Sequence, residues 1–117
     1  MHIIGRGSIL AVAALLGACS SMITGGELIR PGEPTGTIEV VNATSHVVDV
    51  VAISDCDAST YGFNRLPDGV GIPPGSSYQF TVSAGCWDVD AGSFGVGEAK
   101  QRMTVEAYGL TRYTVTD

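Results

Sequence analysis

The side chains that could do acid, base or nucleophilic chemistry are few and scattered in this 117-residue chain. A serine or cysteine nucleophile needs a neighbouring base, usually a histidine that a carboxylate orients. Apart from His2, the one histidine is His46, and no serine lies in a GxSxG pattern. The sequence therefore predicts a protein that is not an enzyme and needs no cofactor.

Two pairs of aspartates are spaced with one residue between their members: Asp55 and Asp57, then Asp88 and Asp90. A two-carboxylate glycosidase could use such pairs, but loop ends and the solvent face of a strand explain them more simply. If Cys56 lies beside Cys86, Asp55, Asp57 and Asp88 would come together, and oxygen-rich clusters suit calcium. We treat calcium binding as a hypothesis and predict no metal site from spacing alone.

The N-terminal segment predicts export. His2 and Arg6 form a weakly basic start, and the apolar stretch 9–16 is far shorter than the roughly 20 residues that a membrane-spanning helix needs. This stretch ends in four residues that resemble the lipobox of bacterial lipoproteins: Leu16, Gly17, Ala18 and Cys19. The resemblance implies diacylglycerol on the Cys19 sulfur, cleavage before Cys19 and acylation of the new amino terminus. An ordinary cleaved signal peptide is the alternative.

A lipid on Cys19 would make the membrane the first partner of the mature chain, since several acyl chains bind a bilayer almost permanently. Ser20 stands where an aspartate would signal inner-membrane retention, so the family rule favours the outer membrane, facing the periplasm. The mature chain keeps all 12 acidic residues and five of the six basic ones, a formal charge of −7. Phosphates would repel such a surface, so no nucleic acid is expected as a partner.

The remaining cysteines, Cys56 and Cys86, form an even pair in a chain predicted to enter an oxidising compartment. We interpret them as a disulfide, which would stabilise the fold by about 3.5 kcal/mol in the chain-entropy model. A metal site and a reactive thiol are the alternatives, although the spacing of these cysteines is poor for zinc.

Glycine and proline divide the rest of the chain. Residues 1–18 are the predicted signal peptide, residues 19–35 a flexible tether rich in glycine and proline, and residues 36–117 a single domain. Alternating apolar residues in this domain predict six strands, near residues 37–41, 46–54, 78–82, 86–91, 100–106 and 111–116. No helix is signalled. The fold class is all-β, a small antiparallel β-sandwich of immunoglobulin-like or related Greek-key topology.

Two finer expectations concern the strands. We expect the first two strands to form a hairpin around the polar turn at residues 42–45, and the second strand to be central because it is apolar on both faces. The turn should use the side chains of Asn42 and Thr44, which is a better explanation of this N-x-T triplet than glycosylation. Trp87 is expected at the centre of the core.

The long irregular stretch at residues 55–75 is the candidate binding loop. Loops of this length in compact domains are often functional. Its candidate contact residues are Tyr61, Phe63, Arg65 and Leu66. The alternative is that these side chains only cover one end of the core.

A second resemblance extends over residues 36–91 and links the chain to a loosely defined group of small bacterial exported proteins. It rests on fold-forming motifs: Ile38-x-Val40-x-Asn42, Ser54-Asp55-Cys56, Tyr61-Gly62-x-Asn64-Arg65-Leu66, Ile72-Pro73-Pro74-Gly75-x-Ser77, Phe80-x-Val82 and Gly85-Cys86-Trp87-Asp88-Val89. The group implies a sandwich and a disulfide but no activity. The expected function is therefore contact, as a subunit that binds an envelope protein through the loop or an exposed sheet edge. A periplasmic module that captures a soluble ligand or inhibits an enzyme is the alternative.

Overall fold

The computed structural model describes residues 25–117, which form an all-β domain. The strands are β1 (Thr35–Ala43), β2 (Val50–Asp55), β3 (Ser77–Ser83), β4 (Gly85–Ser93), β5 (Gly97–Val105) and β6 (Leu110–Thr116). The six predicted strands are confirmed in number and approximate position. No helix in residues 25–117 has the length and apolar character to cross a bilayer. The predicted signal peptide and Cys19 lie outside the described residues.

Two three-stranded sheets, with the orders β3-β1-β6 and β2-β4-β5, pack together. The chain passes from one sheet to the other at every connection except the β4–β5 hairpin. β6 runs parallel to β1, whereas the other three strand pairs are antiparallel. The predicted β-sandwich is confirmed, with this one parallel pair as a departure from an antiparallel arrangement.

The predicted hairpin between the first two strands is wrong, because β1 and β2 belong to different sheets. The second strand is also an edge strand and not a central one. It is apolar on both faces because other segments cover its outward side. Ala52 bridges to Asn64 in the following loop, and the backbone of Gly25 lies against Ser54. Such covering produces the same sequence pattern as a neighbouring strand would.

Asn42 holds the turn that follows β1. Its side chain is fully buried, and its Nδ2 donates to the carbonyls of His46 and Ile72, both at 2.7 Å. Its Oδ1 accepts from the amide of Thr44 at 2.9 Å and from the Thr44 hydroxyl at 2.7 Å. The predicted use of both side chains in a turn is confirmed, and the burial of Asn42 leaves no room for a glycan.

The core lies between the sheets, with Trp87 at its centre as predicted. Trp87 is 0% exposed, and its indole N–H donates to the carbonyl of Ser83 at 2.8 Å. This bond satisfies the only polar atom of the ring, as burial requires. The chain changes sheets just before Trp87, at Gly85, whose φ of +144° few side chains tolerate. The largest fully buried aliphatic residues around the indole include Ile38, Ile53 and Ile72.

Residues 25–34, which we call the N-terminal strap, lie against the domain. The carbonyl of Leu28 accepts from the amide of Ser83 at 2.7 Å, and the Arg30 amide donates to the Ser83 hydroxyl at the same distance. The Arg30 guanidinium pairs with Asp55 at 2.9 Å and lies 5.1 Å from the Trp87 ring centroid. Within the predicted tether, Leu28 and Arg30 therefore hold residues 25–34 against the domain through contacts with Ser83, Asp55 and Trp87.

Candidate functional site

The disulfide at the start of the candidate loop is present. Cys56 and Cys86 are bonded with their Cα atoms 5.5 Å apart. The Cys56 amide also donates to the Cys86 carbonyl at 3.3 Å, which extends the β2–β4 ladder by one residue pair. The predicted pairing is therefore confirmed, and it fixes the loop to the neighbouring strand where the loop begins.

Asn64 shows that part of the candidate loop serves the fold. Its Oδ1 accepts from the amide of Val51 at 2.9 Å and from that of Leu66 at 3.1 Å. Its Nδ2 donates to the carbonyl of Asp49 at 3.1 Å. One side chain thus satisfies backbone groups on the outer edge of β2, as a neighbouring strand would.

Arg65 extends this closure of the β2 edge. Its amide donates to the carbonyl of Val51 at 2.6 Å, and its Nη2 donates to the carbonyls of Ile53 at 2.9 Å and Gly26 at 2.6 Å. Burial lowers the pKa of the Arg65 guanidinium, although arginine stays charged in proteins. Leu66, the next candidate residue, is a core side chain with 5% exposure. These two candidate residues therefore hold the loop on the sandwich.

The other two candidates are Tyr61 and Phe63. Tyr61 is half-buried, with the Lys100 ammonium 5.1 Å from its ring centroid. Phe63 is 62% exposed, between two residues that contact the strap: the Tyr61 carbonyl lies beside Gly25, and Arg65 bonds to Gly26. Of the four predicted contact residues, Arg65 and Leu66 thus hold the loop, Tyr61 is half-buried, and Phe63 is exposed.

A feature that the sequence did not reveal is the free edge of β3. The Asn42 amide donates to the Ser76 carbonyl and the Ala84 amide to the Pro34 carbonyl, both at 2.9 Å. In an antiparallel ladder this pattern directs the amide and carbonyl groups of the even-numbered residues of β3 toward β1. The amide and carbonyl groups of the odd-numbered residues then point outward: Ser77, Gln79 and Thr81. Within residues 25–117 no strand lies beside them, and the strap reaches only Ser83.

The residues at the free edge of β5, in contrast, include charged side chains. The backbone hydrogen bond from the Cys56 amide to the Cys86 carbonyl shows that the amide and carbonyl groups of the even-numbered residues of β4 point toward β2. The amide and carbonyl groups of the even-numbered residues of β5 therefore point toward the free edge. Their exposed side chains include Glu98, Lys100 and Arg102. Charged side chains are a common protection of an edge against strand addition. The exposed side chains of the β3 edge carry no charge, which is the sequence signal that could have identified it.

A shallow concavity of about 420 Å³ lies at the β4–β5 hairpin, with Phe94 and Val96 among its apolar residues and Asp90 and Glu98 among its acidic ones. The Oδ1 atom of Asp90 is buried and has no hydrogen-bond donor. Burial, followed by the neighbouring Glu98, raises the pKa of Asp90 to about 6. Asp90 lies one strand away from the candidate loop, because Ala52 pairs with Asp90 and bridges to Asn64.

The groups considered for catalysis and calcium binding are separated or paired. The His46 ring lies 3.3 Å from the Ser45 hydroxyl in an exposed turn, and the Asp117 carboxylate bonds to the Ser45 amide instead of the imidazole. Asp55 pairs with Arg30 and Asp88 with Arg102, each at 2.9 Å. Among residues 25–117 no three His, Cys, Asp or Glu side chains converge as metal ligands. The calcium hypothesis therefore has no cluster to rest on there.

Comparison with known proteins gives no family assignment, since neither protein-family models nor curated proteins match the chain.

Proposed function

We propose that the mature chain is a lipid-anchored protein of the cell envelope that binds a partner protein and catalyses no reaction. Cys19 would carry the lipid and hold the domain at the periplasmic face of the outer membrane. The partner would add an extended segment as a further strand beside β3.

The observation that carries the proposal is the open, uncharged edge of β3. Three residues present six backbone donors and acceptors there: Ser77, Gln79 and Thr81. Strand addition supplies affinity through such main-chain groups and specificity through alternate side chains. The other edges are closed in three different ways. Loop residues cover β2, charged side chains protect β5, and β6 lies beside β5 with the Thr111 hydroxyl bonded to the Thr104 carbonyl at 3.0 Å.

The surface around the edge limits the kind of partner. A strand added beside β3 would continue the sheet and cover Tyr78, whose half-buried ring lies 4.9 Å from that of Phe80. The partner strand should therefore be apolar on the side that meets the core and polar on the other. A basic partner would associate fastest, because opposite net charges steer encounters.

Two threonine substitutions test the edge in a matched way. Thr81→Lys places a charge on the β3 edge, and Thr104→Lys places the same charge on β5, where the edge is already charged. Both side chains are exposed. Tagged copies would be expressed at native level and cross-linked in intact cells. We expect one recurrent envelope protein with the wild type and with Thr104→Lys, and at least a tenfold lower yield with Thr81→Lys, about 1.4 kcal/mol.

Equal recovery with the two lysine variants would refute the edge as the binding site. Cys19→Ser tests the anchor, because an unprocessed or soluble product is expected. A variant that still fractionates with membranes at mature size would refute lipidation. A partner that Cys19→Ser recovers in undiminished yield from the soluble fraction would favour the alternative, a periplasmic ligand-binding or inhibitory module.

A further inference from the structure

The strap reaches the domain at a defined point beside the candidate loop. The carbonyl of Gly25 accepts from the amide of Asp55 at 2.9 Å, at the end of β2. A Cβ on Gly25 would lie 2.6 Å from the Ser54 Cβ and 3.2 Å from the Tyr61 carbonyl, so no side chain fits between the strap and the loop. Gly25 therefore lies directly beside Tyr61.

The length of chain before Gly25 limits how far the domain can move from its anchor. Five residues separate Cys19 from Gly25. A fully extended chain spans at most about 3.5 Å per residue, so the six steps from Cys19 to Gly25 cover no more than roughly 20 Å. This limit holds for every conformation of the five residues. A lipid on Cys19 would thus keep the Gly25 end of the domain close to the bilayer.

Two exposed phenylalanines lie at different distances from this point. Phe63, 62% exposed, is two residues from Tyr61, whereas Phe94, 88% exposed, lies in the β4–β5 turn. Trp87 pairs with Asp55, the residue that bonds Gly25, and β4 continues from Trp87 to Ser93 before that turn. At 3.4 Å per residue this run is about 20 Å long. Phe94 is therefore at the far end of the sheet.

We propose that the loop around Phe63 contacts the bilayer surface and that its phenyl ring enters the boundary between headgroups and acyl chains. This inference rests on the lipid anchor of the proposed function. Aromatic rings are favoured at that boundary, and the short chain keeps Phe63 nearer to the anchor than the more exposed Phe94. The β4–β5 turn then faces away from the membrane.

Tryptophan scanning of the mature, lipidated protein tests the orientation. Phe63→Trp and Phe94→Trp each add one indole at an exposed position, while the buried Trp87 gives the same background in both. The proteins would be reconstituted into phosphatidylcholine vesicles with and without brominated acyl chains. We expect brominated lipid to quench the added emission in Phe63→Trp, with a blue shift, and to leave Phe94→Trp unchanged. Far-ultraviolet circular dichroism would check that both variants fold.

Vesicle flotation separates the outcomes. If the wild type does not float with vesicles, the lipid anchor of the proposed function fails, and this inference fails with it. If the protein floats and Phe63→Trp is not quenched, the anchor stands and the inference is overturned. Equal quenching of the two variants would also overturn it, because the domain would then have no preferred end toward the bilayer.

Discussion

Replacing Asn42 by alanine should destabilise the domain by about 3 kcal/mol, because the side chain is buried and makes four hydrogen bonds. The two bonds donated by Nδ2 contribute about 1 kcal/mol each. In the variant, the single hydroxyl proton of Thr44 can donate to the His46 carbonyl in place of Asn42 Oδ1, and the Ile72 carbonyl keeps the Val48 amide as a donor. The Thr44 amide loses its side-chain acceptor, which adds roughly 1 kcal/mol.

Asn64→Ala is the matched control, since Asn42 and Asn64 are the two asparagines of the chain. The Asn64 amide also makes three hydrogen bonds to backbone groups. Asn64 is exposed, however, so water can replace part of what is lost, and a cost of about 1 kcal/mol is expected.

Urea unfolding followed by Trp87 fluorescence would measure both changes, because the indole is fully buried in the folded state. We expect a midpoint clearly lower for Asn42→Ala than for Asn64→Ala, at equal slope. A loss below about 0.5 kcal/mol for Asn42→Ala, the range of ordinary surface substitutions, would refute the reasoning.

Three further outcomes are expected. Replacing Cys56 and Cys86 together by serine should lower the unfolding free energy by about 3 to 4 kcal/mol in the chain-entropy model, and an unchanged urea midpoint would contradict this. Asp90→Asn should raise Tm at pH 7 and leave it unchanged at pH 3. Because the pKa of Asp90 is raised to about 6 in the folded protein, the wild type loses stability as the pH rises from about 4 to 6. A difference in Tm that does not depend on pH would exclude this cause. Arg30→Gln should speed amide hydrogen exchange in the N-terminal strap while β1 stays protected, and equal protection in both proteins would show that the strap does not depend on its arginine.

The sequence could predict the strands and the disulfide because both leave local signals. Alternation of apolar residues follows from a strand with one buried face, and Trp87 is the largest apolar side chain in its strand. The disulfide could be predicted because, once export and a lipid on Cys19 are assumed, two of the three cysteines remain. These predictions do not depend on which strands are neighbours in a sheet, and the structure confirms them.

Pairing and edge position could not be predicted in the same way. The second strand looked central because its sequence is apolar on both faces. Ala52 and Ser54 on its outer face are indeed buried, but a loop and the strap cover them and not a neighbouring strand. Arg65 looked available for binding, yet its guanidinium bonds to backbone carbonyls on β2 and the strap. In both cases the deciding contact joins residues that are far apart in sequence, and a local pattern carries no information about such contacts.

An open edge would favour self-association as well as partner binding, since two copies could pair through β3. The negative charge of the chain opposes this pairing. The 117-residue chain carries a formal charge of −6, so two copies repel one another at long range, whereas a basic partner is attracted. A lipid anchor would raise the local concentration of copies in the membrane plane, and we expect self-pairing of β3 to appear first at high salt, where this repulsion is screened.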